Sequence, residues 1–219
     1  MKIDILCTDE RHPVNPYLVR WLQAQTEQHQ LALVRRRGDL TGGDVLFLVS
    51  CSELVPESMR RRYRASLVLH ASDLPIGRGW SPYVWELVGG AEKITVSLLE
   101  ADDPVDSGRI WRKVSVWIPR SALWNEINDA LFRAEIELMD YAVAQFDAIE
   151  PVVQSENVAP TYYRRRIPED SKIDPQQSIA EQFDAIRVCD PKRYPAYFEL
   201  RGCRYKLIVE KMDECKDHD

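Results

Sequence analysis

The sequence predicts an α/β protein, a Rossmann-like, mainly parallel sheet followed by a small C-terminal α+β piece. Three observations predict it. Short apolar runs, KIDILC, LALVRR, DVLFLVS and SLVLH, recur through the first third of the chain, separated by helical or turn-rich stretches, the alternation that builds parallel sheets. DVLFLVS is apolar almost throughout, as a central strand covered on both faces must be. The chain then changes character near its end, where one helical stretch precedes two strand-like runs about Arg201-Gly202.

KIDILC is the first strand, and the loop TDERHPVNPY leads to an amphipathic helix over 17–28 with Leu18, Trp21 and Leu22 on one face. LALVRR is the second strand, TGGD a turn and DVLFLVS the third strand. SLVLH is the fourth and ends at His70. After it, Pro75, Gly77 and Gly79 break regular structure, and Ser81-Pro82 opens the helix PYVWELVGG, since proline is tolerated in a first turn. Strands over 93–99 and 109–116 flank the acidic loop EADDPVDSG. A long helix follows over 121–149, with Ser121 as its N-cap and Leu123, Ile127, Leu131, Ala134 and Leu138 as its buried stripe. VVQSENVAP has no periodicity and ends in proline. The expected organisation is therefore a catalytic domain over 1–150, a linker over 151–160, and a subdomain over 161–219 made of a helix (178–187) and a hairpin. That last piece is too small to stand alone and should pack on the first.

With 219 residues, 45% hydrophobic and 29% charged, the chain suits one substantial core and one main site. Its net charge of −6 provides no general field for a polyanion, so nucleic acid is not an expected partner. The opening apolar run is shorter than a signal-peptide core and no later run reaches membrane-spanning length, which predicts a cytoplasmic protein with no membrane partner. Cys7, Cys51, Cys189, Cys203 and Cys215 show no CxxC spacing, so reduced thiols are expected, with neither a disulfide framework nor a metal site. The clusters RRR at 35–37 and RRRYR at 60–64 read as solvated charge.

Open parallel sheets bind ligands at the carboxyl ends of their strands, where His70 lies. A histidine that moves protons near neutral pH needs a carboxylate to fix its tautomer, and the acidic loop supplies Asp106 in VDSGRI. The order His70-Ala71-Ser72-Asp73-Leu74-Pro75, Arg78-Gly79, Asp106-Ser107-Gly108 resembles the formyltransferases that use N10-formyltetrahydrofolate. GRGWSPYVWEL and the later YYRRRIPEDSKIDPQQSIAEQF are similar to the compact nucleotide-sugar N-formyltransferases of pseudaminic-type pathways.

The resemblance implies the formyltransferase fold and an N-formyltransferase of surface-glycan biosynthesis. Its donor would be N10-formyltetrahydrofolate and its acceptor the amine of a UDP- or dTDP-linked amino-deoxysugar. It implies His70 and Asp106 as the catalytic residues. Folate contacts would come from Ser50 and Cys51 in LVSCSEL, from Ser72, and from Asp103 and Val105 in ADDPV. Acceptor contacts would come from Arg11, His12, Asn15 and Arg78, although the loop that carries the first three can equally bond to itself. No metal is required, and a homodimer stays open.

One departure stands out, because the wider family has asparagine two residues before the histidine and this chain has Val68. Alternation puts Ser66, Val68 and His70 on one strand face, with Ser66 too distant to replace the asparagine, which leaves backbone amides near Ser50 and Cys51. A methionyl-tRNA formyltransferase-like enzyme and a non-catalytic folate or nucleotide-sugar binding protein are the alternative readings.

Overall fold

The computed structural model describes residues 1–212, and Cys215 lies outside the described residues. In chain order the elements are β1 (Lys2–Leu6), α1 (Asn15–Gln25), β2 (Gln30–Val34), β3 (Gly43–Leu48), α2 (Glu57–Arg60), β4 (Tyr63–His70), β5 (Arg78–Gly79) and α3 (Pro82–Val88). After them come β6 (Lys93–Glu100), β7 (Ile110–Trp117), α4 (Trp124–Ala144), β8 (Tyr162–Tyr163), α5 (Ile179–Arg187), β9 (Ala196–Leu200) and β10 (Cys203–Leu207). Six strands form one sheet in the order β2-β1-β3-β4-β6-β7. The first four are parallel, and β6 and β7 extend the sheet antiparallel. Only a hairpin loop joins β6 to β7, and a connection without a crossover obliges antiparallel pairing.

Alternation along the strands divides the interior. Val45 and Phe47 of β3 join Ile3, Ile5, Leu67 and Leu69 beneath α1 and α4, which contribute Leu18, Trp21, Ile127, Leu131 and Leu138. Leu46 and Leu48 point to the opposite face, where Leu6, Leu40, Val55 and Tyr63 cover them and Val68, Cys51 and Ala101 pack alongside. The apolar run of β3 thus follows from burial on both faces.

Helix boundaries differ from the expectation: α1 spans Asn15–Gln25 where 17–28 is expected, and both ends of α4 move inward. Residues 119–122 form a turn closed by the Ala122 N–H on the Pro119 carbonyl, so Ser121 does not cap α4. The helix begins at Trp124, and the Glu126 carboxylate accepts the Leu123 N–H at 2.8 Å, satisfying a first-turn donor. It ends at Ala144, short of 149. By contrast Ser178 caps α5 as its sequence suggests, with Glu181 completing a reciprocal capping box.

Residues beyond α4 return to the main body. Val152 exchanges backbone hydrogen bonds with Ile110 at 2.7 and 2.8 Å, and β8 pairs in parallel with β5. The β9–β10 hairpin turns at Arg201 and Gly202, both left-handed. With α5 it encloses a small cluster of Ile173, Ile186, Cys189 and Ala196. The Arg187 side chain is fully buried, bonds Asp184 at 2.6 Å and reaches the Pro119 and Ala122 carbonyls at 3.4 Å. Arg193 pairs with Asp9, and Arg120 with Asp184 at 3.1 Å. Among the described residues, no helix is long and apolar enough to cross a membrane and no three His, Cys, Asp or Glu side chains are grouped to hold a metal ion.

Candidate active site

His70 ends β4 opposite Ser97 of β6, on the face that also carries Ser66 and Val68. The β6–β7 loop leaves the sheet at Ala101, whose N–H is held by the Ser66 carbonyl at 2.7 Å, and it folds back over that same face. This brings Asp106 to His70, with Nδ1 and Oδ1 3.5 Å apart. Each residue is only 7% exposed. The Nε2 of His70 lies 2.9 Å from the Gly77 carbonyl, and because a carbonyl can only accept, Nε2 carries a hydrogen and Nδ1 is the nitrogen that faces the carboxylate. The second carboxylate oxygen of Asp106 accepts the Gly79 N–H at 3.0 Å. Asp106 itself sits in the left-handed region, φ 62°, which aspartate enters more readily than most residues.

Two glycines are explained by this crowding. Gly79 has φ 97°, and a side chain there would strike the Tyr163 carbonyl. One at Gly108 would strike the Glu100 carbonyl. The Arg-Gly and Asp-x-Gly patterns are therefore partly requirements of backbone approach.

The loops after β3 and β6 are tied together. Arg60 donates to the Val55 carbonyl at 3.3 Å and forms a 2.6 Å ion pair with Asp103, so the basic cluster at 60–64 is not uniformly solvated. Ser50 is left-handed at φ 47°, and Cys51 is half-buried with its thiol donating to the Glu53 carbonyl at 3.2 Å. Burial pushes the Cys51 thiol up to about 11, which keeps it protonated at neutral pH. Leu54 and Val105 expose apolar side chains, 70% and 51%, one on each loop. Ser72 is different: it is wholly buried, its N–H bonds the His70 carbonyl, and its hydroxyl has no partner.

The expected acceptor residues do not gather on one surface. Asn15 is buried and spends its amide N–H groups on the carbonyls of Asp9, Glu10 and His12 at 2.8–3.1 Å, while its oxygen accepts from Arg35 at 2.7 Å. His12 packs edge-on to Phe132 and accepts the Val14 N–H at 3.3 Å. Burial, reinforced by nearby Arg193, lowers its pKa to about 4. Arg11 is exposed, and its N–H bonds Asp9. This loop bonds to itself. Arg78, expected at the acceptor, is instead buried, donating to Gln154 at 2.7 Å and to the Tyr162 hydroxyl at 3.2 Å. At Val68, between Leu48 and Leu99 in the sheet, the side chain offers no donor. Arg60 and Gln154 contact the loops of the candidate site and are not among the site residues the sequence singles out.

A family model described as formyl transferase matches residues 8–143, more than half of the chain. The chain belongs to the formyl transferase family. A methionyl-tRNA formyltransferase of Protochlamydia amoebophila is 27% identical over 173 residues, covering 77% of this chain and 54% of that protein. The chain thus spans about half the length of the curated relatives it matches. Among solved structures, a methionyl-tRNA formyltransferase from Clostridium thermocellum superposes with a TM-score of 0.82 at 21% identity, covering 99% of this chain and 95% of that one. A 4-N formyltransferase from Francisella tularensis gives 0.71 at 16% identity, covering 97% and 98%. At these identities both likenesses concern the fold, the α/β formyltransferase fold.

Proposed function

We propose that this protein transfers a formyl group from N10-formyltetrahydrofolate to the amine of a nucleotide-linked amino sugar. The observation that carries the transfer is the buried His70–Asp106 pair. With Nε2–H committed to Gly77, Nδ1 faces the carboxylate, so the pair can take up a proton shed by an attacking amine, the carboxylate balancing the charge on the ring. Gly77 orients the ring, and the Gly79 N–H holds the carboxylate.

The residues present fit the donor. The loops joined by Arg60 expose Leu54 and Val105 and carry main-chain groups at Ser50 and Cys51, apolar and hydrogen-bonding groups of the kind that hold a flat heterocycle. When bound, the donor supplies the formyl carbon that the amine attacks. With Val68 apolar, main-chain N–H groups of the loop after β3 are the donors left to stabilise charge at the formyl oxygen.

The net charge of −6, and twelve Lys and Arg against twelve Asp and Glu from Thr161 onward, favour a sugar acceptor, since gripping tRNA phosphates takes a basic surface. The names of the curated relatives favour methionyl-tRNA as the second reading. Mass spectrometry separates them: UDP- and dTDP-linked amino sugars and charged methionyl-tRNA are each incubated with the donor. A product heavier by one formyl group is expected from a nucleotide sugar. Formylation of the tRNA alone overturns the acceptor, and no product from either supports the non-catalytic binding protein.

A further inference from the structure

Asp106 faces His70 from a left-handed backbone conformation, and such a conformation persists only where its surroundings hold it. What holds it comes largely from far along the chain. Gln154 is buried and directs Nε2 at two carbonyls of the loop, that of Asp106 at 2.8 Å and that of Gly108 at 2.9 Å. Its Oε1 accepts from Arg78 at 2.7 Å. The two carbonyls require the NH2 end and the guanidinium requires the oxygen, so the amide has one orientation. Arg78 is buried in turn and is the neighbour of Gly79, which donates its N–H to the Asp106 carboxylate.

A closed circuit results. β5 grips the Asp106 side chain directly through Gly79 and its main chain through Arg78 and Gln154. On the other side, Gly77 holds Nε2 of His70. We infer that Gln154, clamped by Arg78, is a positioning residue that sets the Asp106 carboxylate against Nδ1 of His70. The inference rests on the reading of His70 and Asp106 as the proton-handling pair. It gives Arg78 a role inside the protein in place of contact with the acceptor.

The test uses the whole chain carrying Gln154→Glu, which keeps the side-chain shape and an acceptor for Arg78 but removes both donors. The ring nitrogens of His70 are read by long-range proton–nitrogen NMR on ligand-free protein, with His70→Gln assigning the signal among the four histidines. The expected result is a displaced Nδ1 resonance with Nε2, which bonds Gly77, unmoved. In the formyl-transfer assay kcat should fall, by up to on the order of 10²-fold for a misplacement near 1 Å, while KM for both substrates stays close to wild type. Tyr162→Phe, which trims only the outer partner of Arg78, should leave the His70 spectrum unchanged. If Gln154→Glu does not fold, Arg78→Lys loosens the same amide and should move Nδ1 in the same way. Unchanged ring signals, equal movement of both nitrogens, or a raised KM at constant kcat would each overturn the assignment. Because the ring signals need no substrate, a failure here is distinct from a failure of the formyl-transfer reading.

Discussion

At the scale of single residues, the proposed action of His70 and Asp106 on one proton makes their replacement non-additive. His70→Ala and Asp106→Asn are each expected to lower kcat by on the order of 10³, with the double variant hardly worse than either alone. Asparagine is the proper replacement, because it tolerates the left-handed backbone that alanine would resist. Multiplicative losses would show two independent roles. Ser66 is the control on the same strand face. Its hydroxyl bonds the Arg60 carbonyl at 3.2 Å, so Ser66→Ala should cost less than about tenfold, below the ~10²–10³ of a true oxyanion donor; a loss in the larger range would move that role to Ser66.

Two side chains away from the pair, the buried Glu135 and the half-buried His12, titrate against the fold. Glu135 on α4 has a carboxylate oxygen without a partner, and burial pushes its pKa up to about 8. Between its ordinary pKa of 4.5 and about 8 the folded chain holds a proton that the unfolded chain has released. Stability from this group therefore falls as pH rises, by up to about 1.4 kcal/mol per pH unit. His12 acts oppositely: half-buried and neutral, with its pKa lowered to about 4 from 6.5, it costs stability as pH falls through that window. Chemical denaturation across pH 5–9 should show Glu135→Gln gaining on wild type progressively up to about pH 8. A constant difference between the two would mean that Glu135 is not buried protonated.

At the scale of elements, what repeats locally was legible and what joins distant segments was not. Alternation in SLVLH put Ser66, Val68 and His70 on one face, and the pairing of β4 with β3 and β6 agrees. Ser178 with Glu181 announced α5 because a capping box is complete within four residues. Ser121 failed as a cap because a turn at 119–122, stabilised in a tertiary context, delays the helix. The aperiodic stretch at 151–160 gave no sign of Gln154, whose partners lie at 78, 106 and 108. Arg60 looked like one charge among several until its contacts with Val55 and Asp103 located it between two loops. The pair is partly exposed on the Asp103 side, so its contribution to stability is small, and we propose that its consequence is for donor binding. Arg60→Gln should raise KM for the folate donor several-fold with kcat nearly unchanged, read from initial rates at saturating acceptor. A fall in kcat at constant KM would detach Arg60 from donor binding.

At the scale of the whole molecule, composition anticipated one substantial core, while the independence of the C-terminal part is a question of coupling. Residues 161–219 were expected to pack on a domain of 1–150, and the contacts between them are of the kind that transmit unfolding. Val152 bonds Ile110, β8 bonds β5, Trp85 stacks on Tyr163 and donates to the Arg164 carbonyl at 3.1 Å, and the buried Arg187 reaches the turn before α4. Opening the C-terminal piece alone would strip Arg78 of the Tyr162 hydroxyl and the buried Arg187 of the Pro119 and Ala122 carbonyls, and buried polar groups that lose partners are costly. We therefore expect one cooperative transition. Trp85 stacks on Tyr163, so tryptophan fluorescence would mix the two parts; hydrogen exchange in peptides from 2–6 and 43–48 reports the sheet, and in peptides from 173–207 the α5–hairpin piece. In a urea titration both probes should give the same midpoint. Earlier loss of protection in 173–207, with 2–6 and 43–48 still protected, would make the C-terminal piece a separate unit, and Gln154 would then have to keep Asp106 in place without the support of the segment that follows it.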